Sequence, residues 1–456
     1  MSQELRTALT VLATRLREEI IDGLSDGSLR QTETTVLVWK VDQFTKTDGG
    51  IIPSGASGDY TNRKDWSQAI VKLLIDSQKT PEFENASKAL NQEFETSRTQ
   101  FAIDNFVSRI AGDLLNNPKM GEEYFKDTTT ILIKGLKEEL LRYSATGGLL
   151  GIQVASDSVE ADHGLLIRQP TVEDLEAEIL PFSPVGFSPL QPYPTAILRI
   201  EILARRANEL QPRIEHAVTM LRLFRVGSVT VPSYRFSSES ITDPFGRIGY
   251  SSGSASRPLE QYMIRNNEIS ALKAFWRSLG AVIPPSFYEQ NLAGGDHLTI
   301  AYRRYVDALM QNGVVERRIA NAVMGLEALL LTGEEVQELV YRLSNRLSKL
   351  LVILGLDQYE VRQTIRDAYR VRNLFVHGSQ LGDKESKKLE IKYKGVRNLM
   401  SRTLNYLRVV LVALILTRKG KEELIDNIDD SLIDNKRDEE LSASMRTAKE
   451  IISQSG

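Results

Sequence analysis

The spacing of apolar positions along this chain changes character near residue 295. From about residue 298 onward apolar residues recur three and four positions apart, as Ile319, Val323, Leu326 and Leu330 do, which is the stripe of an amphipathic helix. The pattern predicts helices near 298–311, 314–332, 334–354, 358–377 and 385–418. The longest apolar run, residues 409–416, is too short to cross a bilayer and suits the buried stretch of a core helix.

Before that point the pattern is mixed. Helical spacing covers segments around 3–22, 65–77, 83–115 and 121–143. Residues 36–39 read as a short strand, followed by a Gly/Ser-rich loop over 49–58. That loop lacks Lys-Ser/Thr at phosphate-loop spacing and carries no nucleotide signature. Residues 149–154 and 164–168 read as short strands, and six prolines between Pro170 and Pro194 argue against a long helix there. Residues 196–224 read as helical, with Pro212 breaking or kinking the run into two shorter helices. Residues 228–231 read as a strand, 237–256 as a Ser/Gly loop and 271–279 as a helix. The expected architecture is an α-rich α+β protein. A mainly helical region (1–145) and a mixed α+β region (146–295) precede an all-α domain (296–421) and an acidic helical tail (422–456).

Composition narrows the picture less. Hydrophobic residues at 41% and charged residues at 26% describe an ordinary globular chain, and 456 residues suffice for two or three domains. The net charge of −3 excludes a generally basic protein that coats nucleic acid. Over residues 298–421 the balance reverses, with 22 lysines and arginines against 12 aspartates and glutamates. With no cysteine there is no disulfide framework, no thiolate zinc site and no cysteine nucleophile. Residues 1–30 show no basic-then-apolar leader, so a cytoplasmic location without a membrane segment is expected.

The chemistry concentrates in Tyr369-Arg370-Val371-Arg372-Asn373-Leu374-Phe375-Val376-His377-Gly378, which holds one of the four histidines. Asn373 and His377, four apart, share a helix face that Tyr369 extends backwards. Arg372 lies on the neighbouring face, where a long side chain still reaches the same spot. Gly378 is placed to close the helix in the left-handed conformation. Arginine neutralises a crowded phosphate and histidine moves a proton near neutral pH, so the end of this helix is a candidate anion site. A histidine in a last helical turn is also ordinary, because the macrodipole favours it.

Arg372 and His377 in R-x4-H spacing resemble the signature of HEPN domains, helical modules found in many metal-independent ribonucleases. Two upstream segments extend the likeness. One is Arg317-Arg318-Ile319-Ala320-Asn321-Ala322-Val323-Met324-Gly325-Leu326-Glu327-Ala328-Leu329-Leu330-Leu331. The other is Tyr341-Arg342-Leu343-Ser344-Asn345-Arg346-Leu347-Ser348-Lys349-Leu350-Leu351. Their order is similar to that of the Apea-like branch of the HEPN superfamily, over about the last third of the chain. The resemblance implies a C-terminal HEPN helical bundle acting as a homodimer, with motifs from two protomers facing each other. It implies attack of a ribose 2′-hydroxyl on the adjacent phosphodiester, leaving a 2′,3′-cyclic phosphate and a free 5′-hydroxyl. His377 is then general base or acid, Arg372 stabilises the transition state, and Asn373 holds the phosphate or orients His377. No metal or other cofactor is implied. Apea-like relatives are associated with prokaryotic antiviral defence, so the implied biology is a toxic, abortive-infection nuclease. Its N-terminal region would bind a phage or cellular trigger. The alternative is a non-catalytic HEPN module for nucleotide or RNA binding, or for dimerisation.

Around the motif, Arg366, Arg370, Lys384, Lys387 and Lys388 are candidate contacts to an RNA backbone, although a run of lysines is equally the solvated face of a helix. Glu327 stands in an otherwise apolar stretch and needs a cationic partner, Arg346 or Arg372. His163 and His297 each follow an aspartate without a second ligand at metal spacing, and His216 reads as a structural residue. Asp426, Asp429, Asp430 and Asp434 lack the glycine of a calcium loop. With Leu424, Ile425, Ile428 and Leu432 they read as an amphipathic helix, either lying over the basic domain or mobile.

Overall fold

The computed structural model describes residues 3–94, 99, 101–178, 193–242, 245–249, 260–288, 295–311 and 313–455. The chain opens with α1 (Gln3–Ser25), a hairpin of β1 (Thr32–Thr47) and β2 (Gly50–Asp65), and then α2 (Ser67–Ser77), α3 (Pro81–Glu93), α4 (Ala102–Asn116) and α5 (Glu122–Leu136). Leu5, Leu9, Leu12, Leu16 and Ile20 of α1 meet Phe106, Val107, Ile110 and Leu114 of α4, and these residues centre a first hydrophobic core. The hairpin is longer than expected. The Gly/Ser-rich stretch read as a loop is the second strand, with Thr47 opposite Gly50 and Thr32 opposite Asp65. A bulge between Val41 and Phe44 interrupts the ladder, and the Val41 N–H donates to Glu176 Oε1 at 3.0 Å.

The mixed region comprises β3 (Leu141–Leu149), β4 (Ile152–Val154), β5 (Ser158–Asp162), β6 (Leu165–Arg168), α6 (Val172–Glu178), β7 (Ala196–Ala204), α7 (Leu210–Phe224), β8 (Ser233–Ser238), β9 (Phe245–Gly249), β10 (Tyr262–Ile264) and α8 (Ile269–Leu279). An antiparallel sheet runs β5-β6-β7-β3-β8-β9, and β10 pairs with β4 in parallel. Several expectations change here. Residues 141–143 begin a strand rather than ending a helix. Residues 196–204 are a strand hydrogen-bonded on both sides, and Pro212 sits in the first turn of α7, where a missing N–H costs nothing. Thr230 makes only an isolated bridge with Leu150, and the stretch read as a Ser/Gly loop holds the end of β8 and all of β9. Most of the proline-rich stretch, residues 179–192, lies outside the described residues, as do residues 243–244 and 250–256 of that loop.

The helices of the last third follow the predicted positions: α9 (His297–Met310), α10 (Val315–Leu330), α11 (Leu339–Ile353), α12 (Gln358–Val376), α13 (Asp383–Tyr393) and α14 (Val396–Thr417). The helix expected over 385–418 divides at Lys394 and Gly395, both at positive φ (57° and 115°). The acidic tail folds as α15 (Lys421–Ser431), α16 (Asn435–Ser444) and α17 (Arg446–Ser455). It lies over the helical domain, burying Leu424, Ile425 and Ile428 and pairing Asp429 with Arg346 and Asp438 with Lys349. By length and composition α14 is apolar enough to cross a membrane, yet most of it is buried inside the protein.

A second core draws on residues from Leu141 to Ile452, with Ile241 alone of that span packing in the first core. The change of pattern at residue 295 therefore lies inside one packed body, while the break between the two cores falls between Leu136 and Leu141. One arrangement fastens the halves of that body. Of the last four carbonyls of α7 only that of Leu221 takes a backbone N–H, from Arg225 at 3.4 Å, and side chains from other elements reach all four. Tyr262 Oη donates to Leu221 O and Tyr305 Oη to Arg222 O, both at 2.8 Å. Arg408 Nη1 donates to Leu223 O and Phe224 O at 3.0 and 2.9 Å. Arg408 is 1% exposed in the middle of α14, and its positive charge sits at the negative end of the α7 dipole.

Candidate active site at the end of α12

α12 starts from Asp357, whose side chain accepts the Glu360 N–H. Val361, Thr364, Ile365, Ala368, Tyr369 and Val371 turn inward. The opposite stripe carries Arg366, Arg370, Asn373 and His377 at spacings of three and four, which lines them along one face. The helix ends as its sequence predicts. Gly378 takes φ +70°, its N–H donates to Phe375 O at 3.0 Å, and Ser379 N–H donates to Leu374 O at 2.8 Å. These are the two bonds of a Schellman motif. His377 is the capping residue just past the last turn, its backbone N–H bonded to Asn373 O. Its side chain is exposed and makes no hydrogen bond among the described residues.

Arg372, half-buried, is held on three sides. Nη1 donates to Asn373 Oδ1 at 3.0 Å, Nη2 approaches Glu327 Oε2 at 3.4 Å, and the guanidinium carbon lies 5.3 Å from the centre of the Tyr369 ring. Its Nε is buried without an acceptor. Glu327, in the last turn of α10, thus takes Arg372 as its partner rather than Arg346. Burial, then the nearby charge of Glu327, push the Tyr369 hydroxyl up to about 12.

Arg346 belongs to a separate cluster. It is 3% exposed and binds Glu335 through Nη1 and Nη2 at 2.9 and 2.7 Å. It binds Asp429 through Nε and Nη2 at 2.8 and 2.6 Å, and donates to Leu330 O at 2.9 Å. It therefore closes the end of α10 through the Leu330 carbonyl. Hydrogen bonds from Arg346, joined by those from the Thr332 N–H and Arg342, hold Glu335 down to about 2.

The basic residues differ in availability. Arg370 is bound to Glu385 at 2.6 Å, which ties α13 to α12. Asp367 ties them again, accepting from Lys392 at 2.6 Å and from the Tyr393 hydroxyl at 2.7 Å. Arg366, Lys384, Lys387 and Lys388 are exposed, with no carboxylate in ion-pair range among the described residues. Sequence reasoning did not find Glu335, Asp367, Asp429 or Glu385, because each acts on a partner brought near only by the fold.

The remaining histidines lie elsewhere. His216 donates through Nε2 to Gly280 O at 3.0 Å and packs edge-on against Tyr288 and Trp276, a structural role. Burial moves it down from its ordinary pKa. With His163 it lines a cleft of about 710 Å³ beside Arg142, Arg213 and Trp276. Burial also moves His297, at the start of α9, down. Among the described residues, no group of three His, Asp or Glu side chains is arranged to hold a metal ion. No family model, curated protein or solved structure matches this chain.

Proposed function

We propose that this protein is an endoribonuclease of the HEPN type, cleaving RNA by attack of a ribose 2′-hydroxyl on the neighbouring phosphodiester without a metal cofactor. The observation that carries the reading is the end of α12. An exposed imidazole with no hydrogen bond among the described residues, an adjacent amide and a guanidinium with unused donors lie there, followed in sequence by the exposed lysines of α13. His377 takes or delivers the proton, a step worth about 10²–10⁴-fold. Arg372 meets the charge that develops on the phosphorane oxygens, and Asn373 positions the phosphate or the imidazole. Arg366, Lys384, Lys387 and Lys388 bind the backbone on either side; Arg370 adds to this face and fixes α13. Two protomers join through α12 so that two motifs face one substrate. The cytoplasm, where RNA is found, is the proposed setting, and antiviral defence by abortive infection the proposed role. The region before residue 295 then senses a phage or cellular trigger.

One observation favours a second reading, a non-catalytic RNA- or nucleotide-binding or dimerisation module. Glu327 already neutralises Arg372 within the chain. The deciding experiment incubates the purified full-length protein with total RNA, with and without EDTA, and analyses the new ends. Fragments bearing 2′,3′-cyclic phosphate in both samples support the nuclease. Intact RNA that is nevertheless retained by the protein supports the binding module.

A further inference from the structure

Resting on the reading of this face as an RNA surface, we infer that Arg370 is a phosphate subsite held closed by Glu385, so that RNA must unlatch the first half of α13. Arg370 lies seven residues before His377 on the same stripe of α12, two turns or about 10 Å along the axis. A strand with its reacting phosphate at His377 that continues along α12 passes Arg370. In the free protein this guanidinium is occupied, with Nη2 donating to Glu385 Oε1 at 2.6 Å. A carboxylate there offers the same kind of charged acceptor oxygen as a phosphate.

The two ends of α13 are held differently. The last residues are anchored: Leu389 and Tyr393 are buried, and Asp367 accepts from Lys392 and from the Tyr393 hydroxyl at 2.6 and 2.7 Å. No side chain of residues 383–388 is buried, and Arg370–Glu385 is their one ion pair among the described residues. The Arg370 side chain is 59% exposed, and such a pair resists a competing ion weakly. The chain before α13 is able to turn. Gly378 sits at φ +70° with open space where a side chain would stand, and Gly382 precedes the first helical residue. An added Cβ at Gly382 would lie 3.0 Å from Glu385 Oε2, so the carboxylate leans back over the start of the helix. Released from Arg370, it remains at the positive end of the α13 dipole, which eases the exchange. Lys384, Lys387 and Lys388 are then free to follow the strand, while Asp367 keeps the helix attached.

The test uses the full-length protein and a single-stranded oligonucleotide whose 2′-hydroxyls are methylated, which blocks the proposed attack. Glu385→Gln is expected to bind it up to about fivefold more tightly, the ceiling for an exposed ion pair. Hydrogen exchange of the amides of residues 386–388 in the free protein should rise severalfold in this variant, with residues 389–393 unchanged. Arg370→Gln leaves Glu385 at the helix start; it should raise the same exchange while weakening binding. Glu390→Gln removes the same charge from an exposed position with no ion pair among the described residues. It should match the parent in exchange and fall short of Glu385→Gln in affinity. Equal tightening by the two glutamate variants overturns the inference, as does weaker binding by Glu385→Gln. Parent-like exchange in Glu385→Gln or Arg370→Gln overturns it too. A parent that binds the oligonucleotide yet leaves natural RNA intact defeats the nuclease reading alone. A parent that binds none defeats the RNA surface and the latch together.

Discussion

Arg408 closes the helix that ends at Phe224, donating to its carbonyl at 2.9 Å across 184 residues of sequence. A lone buried cation is costly unless its surroundings accept every donor they can. Here the end of a helix supplies two carbonyls and Asn405 a third acceptor, at 3.0 Å. Arg408→Met removes the buried charge but leaves both carbonyls without this donor. The expected net loss of stability is about 2 kcal/mol or more, read as a lower urea midpoint of the full-length chain. An unchanged midpoint would show that water or a neighbouring donor already serves those carbonyls.

His377→Ala and Arg372→Ala are each expected to lower RNA cleavage by about 10²-fold or more. His377→Ala leaves the unfolding midpoint close to that of the parent, whereas Arg372→Ala lowers it by leaving Glu327 unpaired. Activity of the parent persists in EDTA. Loss on chelation with recovery on adding a divalent ion sinks the proposed chemistry, and normal cleavage by both variants moves the site elsewhere.

Changing Lys384, Lys387 and Lys388 together to Gln should raise KM for RNA and leave kcat nearly unchanged. It should also reduce the slope of log affinity against log salt by about 0.7 for each single-strand phosphate that is no longer neutralised. An unaltered slope identifies this face of α13 as a solvated surface only.

Assembly is open to direct measurement. A two-fold interface through α12 brings two Arg372 side chains together, and their repulsion eases when a phosphate sits between them. Light scattering should give twice the 51.2 kDa chain mass in the presence of a non-cleavable oligonucleotide. A protein that cuts RNA while remaining monomeric at every concentration rules out the facing-motif arrangement.

Glu335 makes a specific contribution to acid sensitivity. Its carboxyl titrates at about 2 in the folded protein, below the ordinary value of 4.5. A depressed folded value stabilises the protein above the unfolded pKa, and that stabilisation is lost as pH falls from about 4.5 toward 2. Glu335→Gln should flatten this part of the stability profile; an unchanged acid limb assigns it to other carboxylates.

How much of the fold is legible in the sequence depends on how local each signal is. The helices from residue 297 to 376 repeat every three to four residues, and the Schellman end at Gly378 is written in adjacent positions, so both can be read. β7 escapes such a reading although Arg199 and Glu201 alternate with Leu198 and Ile200. Its apolar content suits either element, and only pairing with β3 and β6 decides. The second hairpin strand is hidden by glycine and serine, because its order comes from the ladder to β1 rather than from side-chain preference. At the site, Arg372, Asn373 and His377 are neighbours in sequence. Glu327 is legible because a carboxylate in an apolar stretch demands a cation, but whether Arg346 or Arg372 answers is a matter of how the helices cross.

The hairpin of β1 and β2 gives the first core a mechanical connection to the second. Its base adjoins α2, and its tip is pinned at Asp48, whose carbonyl accepts from Gln169 Nε2 while the same amide grips the Val154 and Ala155 carbonyls. Gly49 is buried there so closely that an added Cβ would lie 2.8 Å from the Gln153 side chain. Sixteen residues per strand span about 50 Å. A cross-bonded ribbon of that length resists stretching far better than a flexible linker of the same size. The ribbon therefore adds, at Gln169, a second tie between the N-terminal helices and the body that also carries α12.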